Sequence, residues 1–416
     1  MDRYVNSQAS SSSVSLASGT PPTTPGATIS EFFPANANRS ILVIGGLGFI
    51  GSHTSLELLK AGHNVIVVDD LSNSFADVFS RIQQLAKDYY AEEGIPEQVP
   101  TLKFHKFDYR SSRMRYLLET EVDPITRESL IDGVIHFAAF KSVSDSIKSP
   151  ISYYQNNVCG LVNLVELLGE HNIRKFVFSS SATVYGTKAD DNLPLREEDL
   201  VHHDETYLDD DDNEVVCRPA VAGLQSPYAR SKYFCEAILA DIAKSDPAWR
   251  IVALRYFNPI GCHPSGLLGE DPKGVPTNLF PVITQVLTGE REKLHVFGKD
   301  WTTRDQTAVR DFIHVSDVAR GHVKAIDYKA TSAFRTFNLG SGTGTTVKEA
   351  VAALQVASNR SIPCEYVGRR DGDVGFCVAS NNRAAKELGW KTEETIPVCA
   401  RDLWNYVSKH KGIKAQ

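Results

Sequence analysis

Short apolar segments alternate with helical stretches from residue 40 onward. Six of the segments predict buried strands: RSILVIGG, NVIVVDD, TLKFHKFD, DGVIHFAA, KFVFSSS and WRIVALRYF. FIGSHTSLELLKAG, between the first two, predicts a helix that is closed by Gly62. Strands that alternate with helices indicate an α/β fold, with a doubly wound parallel (Rossmann) sheet and a smaller C-terminal α/β substrate-binding domain.

The pattern divides the chain into three regions. Residues 1–39 are rich in Ser, Thr, Pro and Ala, which predicts a disordered tail. Residues 40–258 carry the strand–helix alternation and form the predicted dinucleotide-binding domain. Residues 259–416 turn to Pro/Gly loops with shorter elements, which suits a domain that shapes a substrate pocket. This division leaves open that segments of the chain cross between the two domains.

An acidic insertion, at about residues 187–226, interrupts the alternation. It contains EEDLVHHDETYLDDDDNEVV, with two adjacent histidines among carboxylates. These residue types could bind a metal, but runs of charge are usually solvated. We therefore expect a solvated loop and no metal.

Composition excludes several classes of protein. The net charge of −7 disfavours a nucleic-acid surface. No apolar run reaches the roughly 18 residues of a membrane span, and the N-terminal segment lacks the apolar core of a secretory signal. The seven cysteines are scattered, without a C-x-x-C pair, which is typical of a reducing compartment. We expect a cytoplasmic protein that binds neither membrane nor nucleic acid.

A glycine-rich turn follows the first predicted strand and opens the first predicted helix. Gly45, Gly48 and Gly51 let the backbone approach a pyrophosphate, which then lies at the N-terminus of the helix. Asp69 ends the second strand, where a carboxylate binds ribose hydroxyls and repels a 2′-phosphate. A tight turn without a ligand is the alternative, but the strand–turn–helix context and Asp69 together favour NAD.

Tyr228 and Lys232 lie four residues apart in a segment that predicts a helix, and therefore on one helical face. An adjacent cation lowers a pKa by roughly 1–3 units. Free tyrosine has a pKa of ~10, so a tyrosine base at neutral pH needs its pKa lowered by about 3 units. Lys232 alone would be at the limit of the shift that one cation can cause. Oxidised nicotinamide would supply a second positive charge. The pair alone also fits a solvated helix surface; the glycine turn makes catalysis the better interpretation.

Longer motifs then name a family. GGLGFIGSH, VVDDLSNS, VIHFAAFKSV, YYQNNVCG, FSSSATVYG, SPYARSK, LRYFNPIGCHPSG and VRDFIHVSDVARGH together resemble the UDP-galactose 4-epimerases of the extended short-chain dehydrogenase/reductase superfamily. The similarity runs from about residue 41 to 406, without the acidic insertion. The resemblance implies an NAD-dependent epimerase that acts on a UDP-sugar. It also implies a homodimer, the assembly expected from the family.

The resemblance implies three catalytic residues. Tyr228 would remove the proton of the sugar 4-hydroxyl while hydride passes to NAD, and Ser181 would hydrogen-bond the same oxygen. Lys232 would lower the pKa of the tyrosine and bind the nicotinamide ribose. The 4-keto sugar would then rotate and take the hydride back on its other face.

It also implies the residues that bind each ligand. For the cofactor they are Gly45, Gly48, Phe49, Ile50, Gly51, Asp69, Asn73, Ser74, Asp108, Tyr109, Phe137, Ala138, Ala139, Lys141, Asn156 and Phe257. For the nucleotide sugar they are Asn258, Asn278, Leu279, Phe297, Arg310, Arg370, Asp373 and Cys377. Independently of the family, a guanidinium suits a diphosphate, because it binds phosphate oxygens in pairs.

Cys377 stands where the family carries either tyrosine or a small residue. A small side chain leaves room beside the sugar C2 position, so we expect UDP-N-acetylglucosamine and UDP-N-acetylgalactosamine to be interconverted as well. Packing by a small apolar side chain is the alternative.

Three other functions compete with this one. A dehydratase or decarboxylase would need a carboxylate beside the serine strand, and Ser181–Tyr185 contains none. Epimerisation of UDP-xylose and UDP-arabinose stays open, because a pentose also fits a roomy pocket. An inactive dinucleotide-binding scaffold is disfavoured, because such a protein would be expected to lose the Ser–Tyr–Lys set.

Overall fold

A computed structural model describes residues 39–208, 213–220, 223–276, 278–329, 332–370 and 373–413. The strands are β1 (Ser40–Ile44), β2 (Asn64–Asp69), β3 (Leu102–Lys106), β4 (Ile131–His136), β5 (Lys175–Ser181), β6 (Glu205–Leu208), β7 (Glu214–Cys217), β8 (Arg250–Tyr256), β9 (Asn258–Ile260), β10 (Leu294–Phe297), β11 (Val309–His314), β12 (Phe334–Leu339), β13 (Gly344–Thr346), β14 (Cys364–Val367) and β15 (Phe376–Cys377). The predicted tail lies outside these residues, apart from Arg39.

The helices are α1 (Phe49–Lys60), α2 (Asp77–Glu92), α3 (Arg113–Thr120), α4 (Val143–Lys148), α5 (Pro150–Tyr153), α6 (Gly160–Glu170), α7 (Pro227–Ser245), α8 (Leu279–Leu287), α9 (Val315–Ile326), α10 (Val347–Ser358) and α11 (Ile396–Lys411). Shorter 3-10 segments lie at Pro96–Gln98, Ala182–Asp191 and Glu197–Asp199, and π-helical segments at Tyr154–Cys159 and Ala384–Leu388.

A seven-stranded parallel sheet forms the centre, in the order β12-β8-β5-β4-β1-β2-β3. All six predicted strands are confirmed as members of it. The seventh, β12, was not predicted. The order of the strands reverses between β1 and β4, and in open α/β sheets ligands bind outside the carboxyl ends of the strands at such a point.

Helices cover both faces of this sheet, because alternate residues of a strand point to opposite sides. On one face Ile41 and Val43 of β1 belong to a buried cluster with side chains of α1, α2 and α9. On the other face Leu42 and Ile44 pack with side chains of α3, α6 and α7. This double cover confirms the predicted doubly wound fold.

Smaller sheets follow along the chain. In one, β11 pairs with β9, β13 and β15; in another, β10 pairs with β14. A separate apolar cluster joins them to α8, α10 and α11. The predicted boundary between residues 258 and 259 stays a prediction, but the chain does cross it, because β12 returns to the central sheet beside β8.

The acidic insertion is more ordered than a solvated loop. Its described residues include an antiparallel pair, β6 with β7, and its two histidines have different carboxylate neighbours, Glu236 for His202 and Asp241 for His203. The side chain of His202 is only 3% exposed. The expectation of a solvated side chain is therefore wrong at this residue, because His202 bonds a buried carboxylate on α7. No helix in the described ranges is long and apolar enough to cross a membrane.

Candidate active site

The glycine turn lies at the carboxyl end of β1, where the strand order reverses. Gly45 has a φ of +78°, and a Cβ on Gly51 would lie 2.2 Å from the Gly45 carbonyl oxygen. The turn can therefore close only with glycine at these positions. A Cβ on Gly48 would meet nothing nearer than 3.4 Å, so the backbone there stays open to a ligand.

Asp69 ties this turn to the loop after β2. Its carboxylate accepts hydrogen bonds from the backbone of Leu47 (3.0 Å) and Leu71 (2.9 Å) and from the Ser74 hydroxyl (2.7 Å). A carboxylate has about four acceptor positions, so one stays available for a ribose hydroxyl.

A cavity of about 120 Å³ opens between the turn and the loop after β2. It is lined by Leu47, Gly48, Phe49, Ser52, Asn73, Ser74, Phe75, Asp77, Val78, Arg81, Leu267, Leu268, Gly269, Asp271 and Tyr406. The structure thus brings Gly48, Phe49, Asn73 and Ser74 together at this cavity, whereas Ile50 packs against the apolar core. Their contact with a cofactor stays a prediction.

The loop after β3 carries the next predicted pair. The guanidinium of Arg110 donates to Asp108 and holds the pKa of that carboxyl below its usual range. Tyr109 is buried and donates to the backbone oxygen of Asn156 (3.0 Å). The side-chain amide of Asn156 donates to Asn157 (2.9 Å).

The segment after β4 faces the glycine turn. A Cβ on Gly45 would lie 3.0 Å from the Ala138 nitrogen. Ala138, with Ala139 next in sequence, therefore lies directly beside the glycine turn. The ring of Phe137 lies 4.7 Å from that of His322 on α9. Lys141 forms an ion pair with Glu270 (3.0 Å), a carboxylate that was not predicted to belong to the site.

Ser181 and Tyr228 meet above the carboxyl end of β5. Ser181 is the last residue of β5, and its hydroxyl accepts from the backbone and side chain of Thr183 (3.3 and 3.1 Å). Tyr228 lies in the first turn of α7, whose start Ser226 caps by accepting from Ala229 (3.1 Å). Burial raises the pKa of Tyr228 to about 12, and its hydrogen bond with Ser181 offsets only part of that rise.

Lys232 is buried one turn further along α7. Its Nζ donates to the backbone oxygen of Ser179 (2.5 Å) and lies 4.8 Å from the centre of the Phe178 ring. Burial lowers its pKa to about 8, although the neighbouring Cys235 and Glu236 favour the ammonium form. The protein alone therefore keeps the Tyr228 phenol protonated, and its activation by Lys232 together with a cofactor charge stays a prediction.

The remaining predicted residues lie on and around β9, β11 and α8. Phe257 is buried beside the segment that follows Ser181, and Asn258 donates through its amide to the Asp311 backbone oxygen (3.1 Å). Asn278 and Leu279 form the start of α8.

Two predicted arginines share one predicted aspartate. Asp373 pairs with Arg310 (2.7 Å) and Arg370 (3.3 Å). The Arg370 guanidinium also stacks over the Phe297 ring, 4.5 Å from its centre. Four of the residues predicted for the nucleotide sugar are thus linked in a chain of contacts, from Arg310 through Asp373 and Arg370 to Phe297.

Cys377 links this cluster to the serine strand. It pairs with Arg310 across β15 and β11, and it packs against a buried apolar cluster that includes Ala182 and Phe257. Burial raises the pKa of its thiol to about 11, and the Arg310 charge lowers it only in part. The thiol is therefore neutral at physiological pH.

Sequence reasoning missed several neighbours of the catalytic residues. Thr183 bonds Ser181, the Ser179 carbonyl accepts from Lys232, and Tyr256 donates to His322 (2.6 Å) while it bonds Ser179. The serine run at the end of β5 was the available signal, since successive hydroxyls on a strand can serve both faces. Nothing in the local sequence signals Tyr256.

A model of the NAD dependent epimerase/dehydratase family matches residues 41–340. The chain belongs to this family. It is similar to UDP-glucose 4-epimerase 2 of Arabidopsis thaliana, with 42% identity over 376 residues, 89% of this chain and 96% of that protein. The resemblance that the sequence motifs indicated is thereby confirmed.

Two solved structures are similar over nearly the whole fold. The UDP-glucose 4-epimerase of Bifidobacterium longum, in complex with NAD⁺ and UDP, has a TM-score of 0.76 and 39% identity over 90% of this chain and 100% of that one. That of Stenotrophomonas maltophila, with bound NAD and formylated UDP-arabinopyranose, has a TM-score of 0.76 and 37% identity over 90% and 99%.

NAD is the cofactor of this family, and the residues present fit it. The backbone at Gly48 is open and a cavity adjoins it. The Asp69 carboxylate accepts three hydrogen bonds and keeps one acceptor position for a ribose hydroxyl. Gly48, Phe49, Asn73 and Ser74 surround that space and would hold the dinucleotide.

Proposed function

We propose that this chain catalyses the reversible C4 epimerisation of UDP-hexoses and interconverts UDP-glucose and UDP-galactose. One observation carries the proposal: Cys377 adjoins both the Ser181 segment and the Arg310–Asp373–Arg370 cluster. The segment that begins after Ser181 and the cluster predicted for the diphosphate are thus both next to this one residue, which supports a single site for the two predicted sets. A UDP-sugar likewise carries its reacting 4-hydroxyl at one end of the sugar and its diphosphate at the other.

The residues divide the work at the sugar. Bound NAD supplies a hydride acceptor that becomes the donor in the return step. Tyr228 accepts the proton of the 4-hydroxyl and gives it back, and the Ser181 hydroxyl donates to the same oxygen. Lys232 holds the backbone of β5 through Ser179 and places a positive charge beneath the site.

The diphosphate end needs positive charge. Arg310 and Arg370 have their guanidinium groups on the Asp373 carboxylate. When a diphosphate enters, each arginine can bind its oxygens in pairs, while Asp373 becomes free to bind the uridine ribose. Asp373 thus keeps both arginines oriented before the substrate arrives.

Product analysis tests this function. UDP-glucose, UDP-N-acetylglucosamine and UDP-xylose are offered separately to the purified protein, and we expect UDP-galactose from the first. Tyr228→Phe should lower turnover roughly 10²- to 10⁴-fold, the usual contribution of a general base. Tyr116→Phe, at a residue that is 69% exposed, is the control.

Other results would point elsewhere. Loss of water from the sugar would indicate a dehydratase, and turnover of UDP-xylose alone would indicate a pentose epimerase. No turnover, with no rise in reduced-nicotinamide absorbance on adding substrate, would leave a scaffold. Wild-type turnover by Tyr228→Phe would disprove the mechanism.

We also propose that N-acetylated UDP-hexoses are substrates and that Cys377 forms part of the pocket wall beside the sugar. Its small side chain and neutral thiol, next to the Arg310 cluster, support this. Cys377→Tyr should abolish turnover of UDP-N-acetylglucosamine and retain that of UDP-glucose. Cys377→Ser, which keeps the side chain small, should retain both. N-acetyl turnover that survives Cys377→Tyr would refute the proposal.

Finally, we propose a cytoplasmic homodimer. The seven cysteines are all free, which suits a reducing compartment, and the motif resemblance implies the dimer. Light scattering on the purified chain should give twice its mass of 45.8 kDa, and cell fractionation should recover it with cytosolic markers. A monomer, or recovery with organelles, would contradict the respective half of the proposal.

A further inference from the structure

Within the acidic insertion, His202 contacts a buried carboxylate of α7, the helix that carries Tyr228 and Lys232. Its Nε2 lies 2.9 Å from an oxygen of Glu236, and both side chains are buried. Its ring also packs on Tyr233, with the centres 5.1 Å apart. His203, the next residue, faces Asp241 at 3.2 Å on a much more exposed surface.

Glu236 lies on α7, four residues after Lys232 and eight after Tyr228, and is fully buried. Arg255 donates to both of its oxygens (3.1 and 2.7 Å). Burial alone would raise the pKa of Glu236, but the Arg255 charge and the His202 hydrogen bond hold it well below its usual range. Since the carboxylate can only accept, His202 is the donor in their contact.

Glu236 in turn holds the end of β5. The hydroxyl of Ser180 donates to it, and Ser180 directly precedes Ser181. The backbone of Ser179, one residue earlier, accepts from Lys232. Two side chains of α7 thus fix the end of the strand on which Ser181 lies.

We infer that His202 is a positioning residue: by bonding Glu236, it fixes the end of β5 against α7 and so aligns Ser181 with Tyr228. Arg255 supports the arrangement, because its guanidinium also donates to the backbone oxygen of Leu200 (2.9 Å), two residues before His202. The inference deepens the proposed function, since it concerns the geometry of that reaction.

Two substitutions separate the hydrogen bond from packing. His202→Gln keeps a donor near the position of Nε2 and loses the ring, whereas His202→Phe keeps a ring and loses the donor. We expect His202→Phe to lower kcat for UDP-galactose roughly 10- to 100-fold, the scale of a small misplacement of a catalytic group. KM should stay within about twofold, because the diphosphate ligands are untouched.

His202→Gln should keep kcat near the wild-type value, and His203→Ala is the matched control with unchanged kcat and KM. Ser180→Ala removes the hydrogen bond that Ser180 donates to Glu236. It should lower kcat without changing KM, and it tests the inference even if His202→Phe does not fold. The double variant should lose less than the product of the two single losses, because both act through Glu236.

Wild-type kcat in Ser180→Ala or in His202→Phe would overturn the inference, as would equal losses in His202→Phe and His202→Gln, which would indicate packing alone. These outcomes are distinct from failure of the proposed function, in which the wild-type protein itself would not interconvert UDP-glucose and UDP-galactose.

Discussion

At neutral pH the Lys232 ammonium group is charged although it is buried, which destabilises the folded state. Its pKa falls from 10.5 to about 8 on folding, so between these pH values the unfolded chain binds more protons than the folded one. The stability that this residue contributes therefore rises with pH across that window. A group that destabilises the fold at neutral pH, and yet lies beneath Tyr228, indicates that function requires it.

Lys232→Met tests this cost. The wild-type free energy of unfolding, measured relative to the variant, should rise by about 3 kcal/mol from pH 8 to pH 10.5, the worth of the lowered pKa. Urea unfolding at both pH values, without substrate, gives the difference. Lys87→Met, at an exposed position of α2, controls for loss of one positive charge. A pH-independent difference for Lys232→Met would contradict the account.

At the scale of elements, β1 and α1 hold the glycine turn between them. Gly51 is the position in this turn with the least room for a side chain. A Cβ there would lie 2.2 Å from the Gly45 oxygen, so Gly51→Ala must move the turn away from α1. We expect less bound NAD after gel filtration and a loss of roughly 1–3 kcal/mol of stability, as for other overpacked sites. Gly274→Ala, whose Cβ meets nothing within 4 Å, should change neither. Normal NAD content in Gly51→Ala would show that the turn can relax.

The elements that the sequence predicted are those whose signal is local. Apolar runs predicted six strands, and the glycine spacing predicted the turn and the start of α1. The strand β12, FRTFNL, was missed because its polar Asn338 is buried, where it bonds the Tyr185 hydroxyl (2.7 Å). Burial of His202 was missed for the same reason: its partner Glu236 is 34 residues away, and only the fold brings them together.

The residues predicted for the nucleotide sugar came from family motifs, and their contact with one another could not be predicted from local pattern. Arg310, Arg370 and Asp373 are ordinary surface residue types, and their contact depends on the pairing of β11 with β15. Pairings between distant segments leave no periodic trace in a sequence. The pKa of Tyr228 shows the same limit, since burial by distant elements moves it away from neutrality.

At the scale of the whole molecule, the central seven-stranded sheet is not contiguous in sequence. The strand β12 pairs with β8 along its full length, and α9 packs against α1, the helix that follows the glycine turn. Both elements lie beyond residue 258. The chain therefore completes its first sheet only after it has built part of the second.

A fragment of residues 40–258 should consequently fail to fold or to bind NAD. It lacks the buried side chains of Val315, Val318, Ile326, Phe337 and Leu339, each worth about 1.5–3 kcal/mol. Their sum is comparable to the roughly 5–15 kcal/mol that stabilises a typical domain. Circular dichroism and NAD content should show a loss of both structure and cofactor. A chain of residues 39–416, which keeps β12 and α9, should retain both, because every described contact remains. A folded, NAD-binding 40–258 fragment would mean that the first sheet is stable without its edge strand.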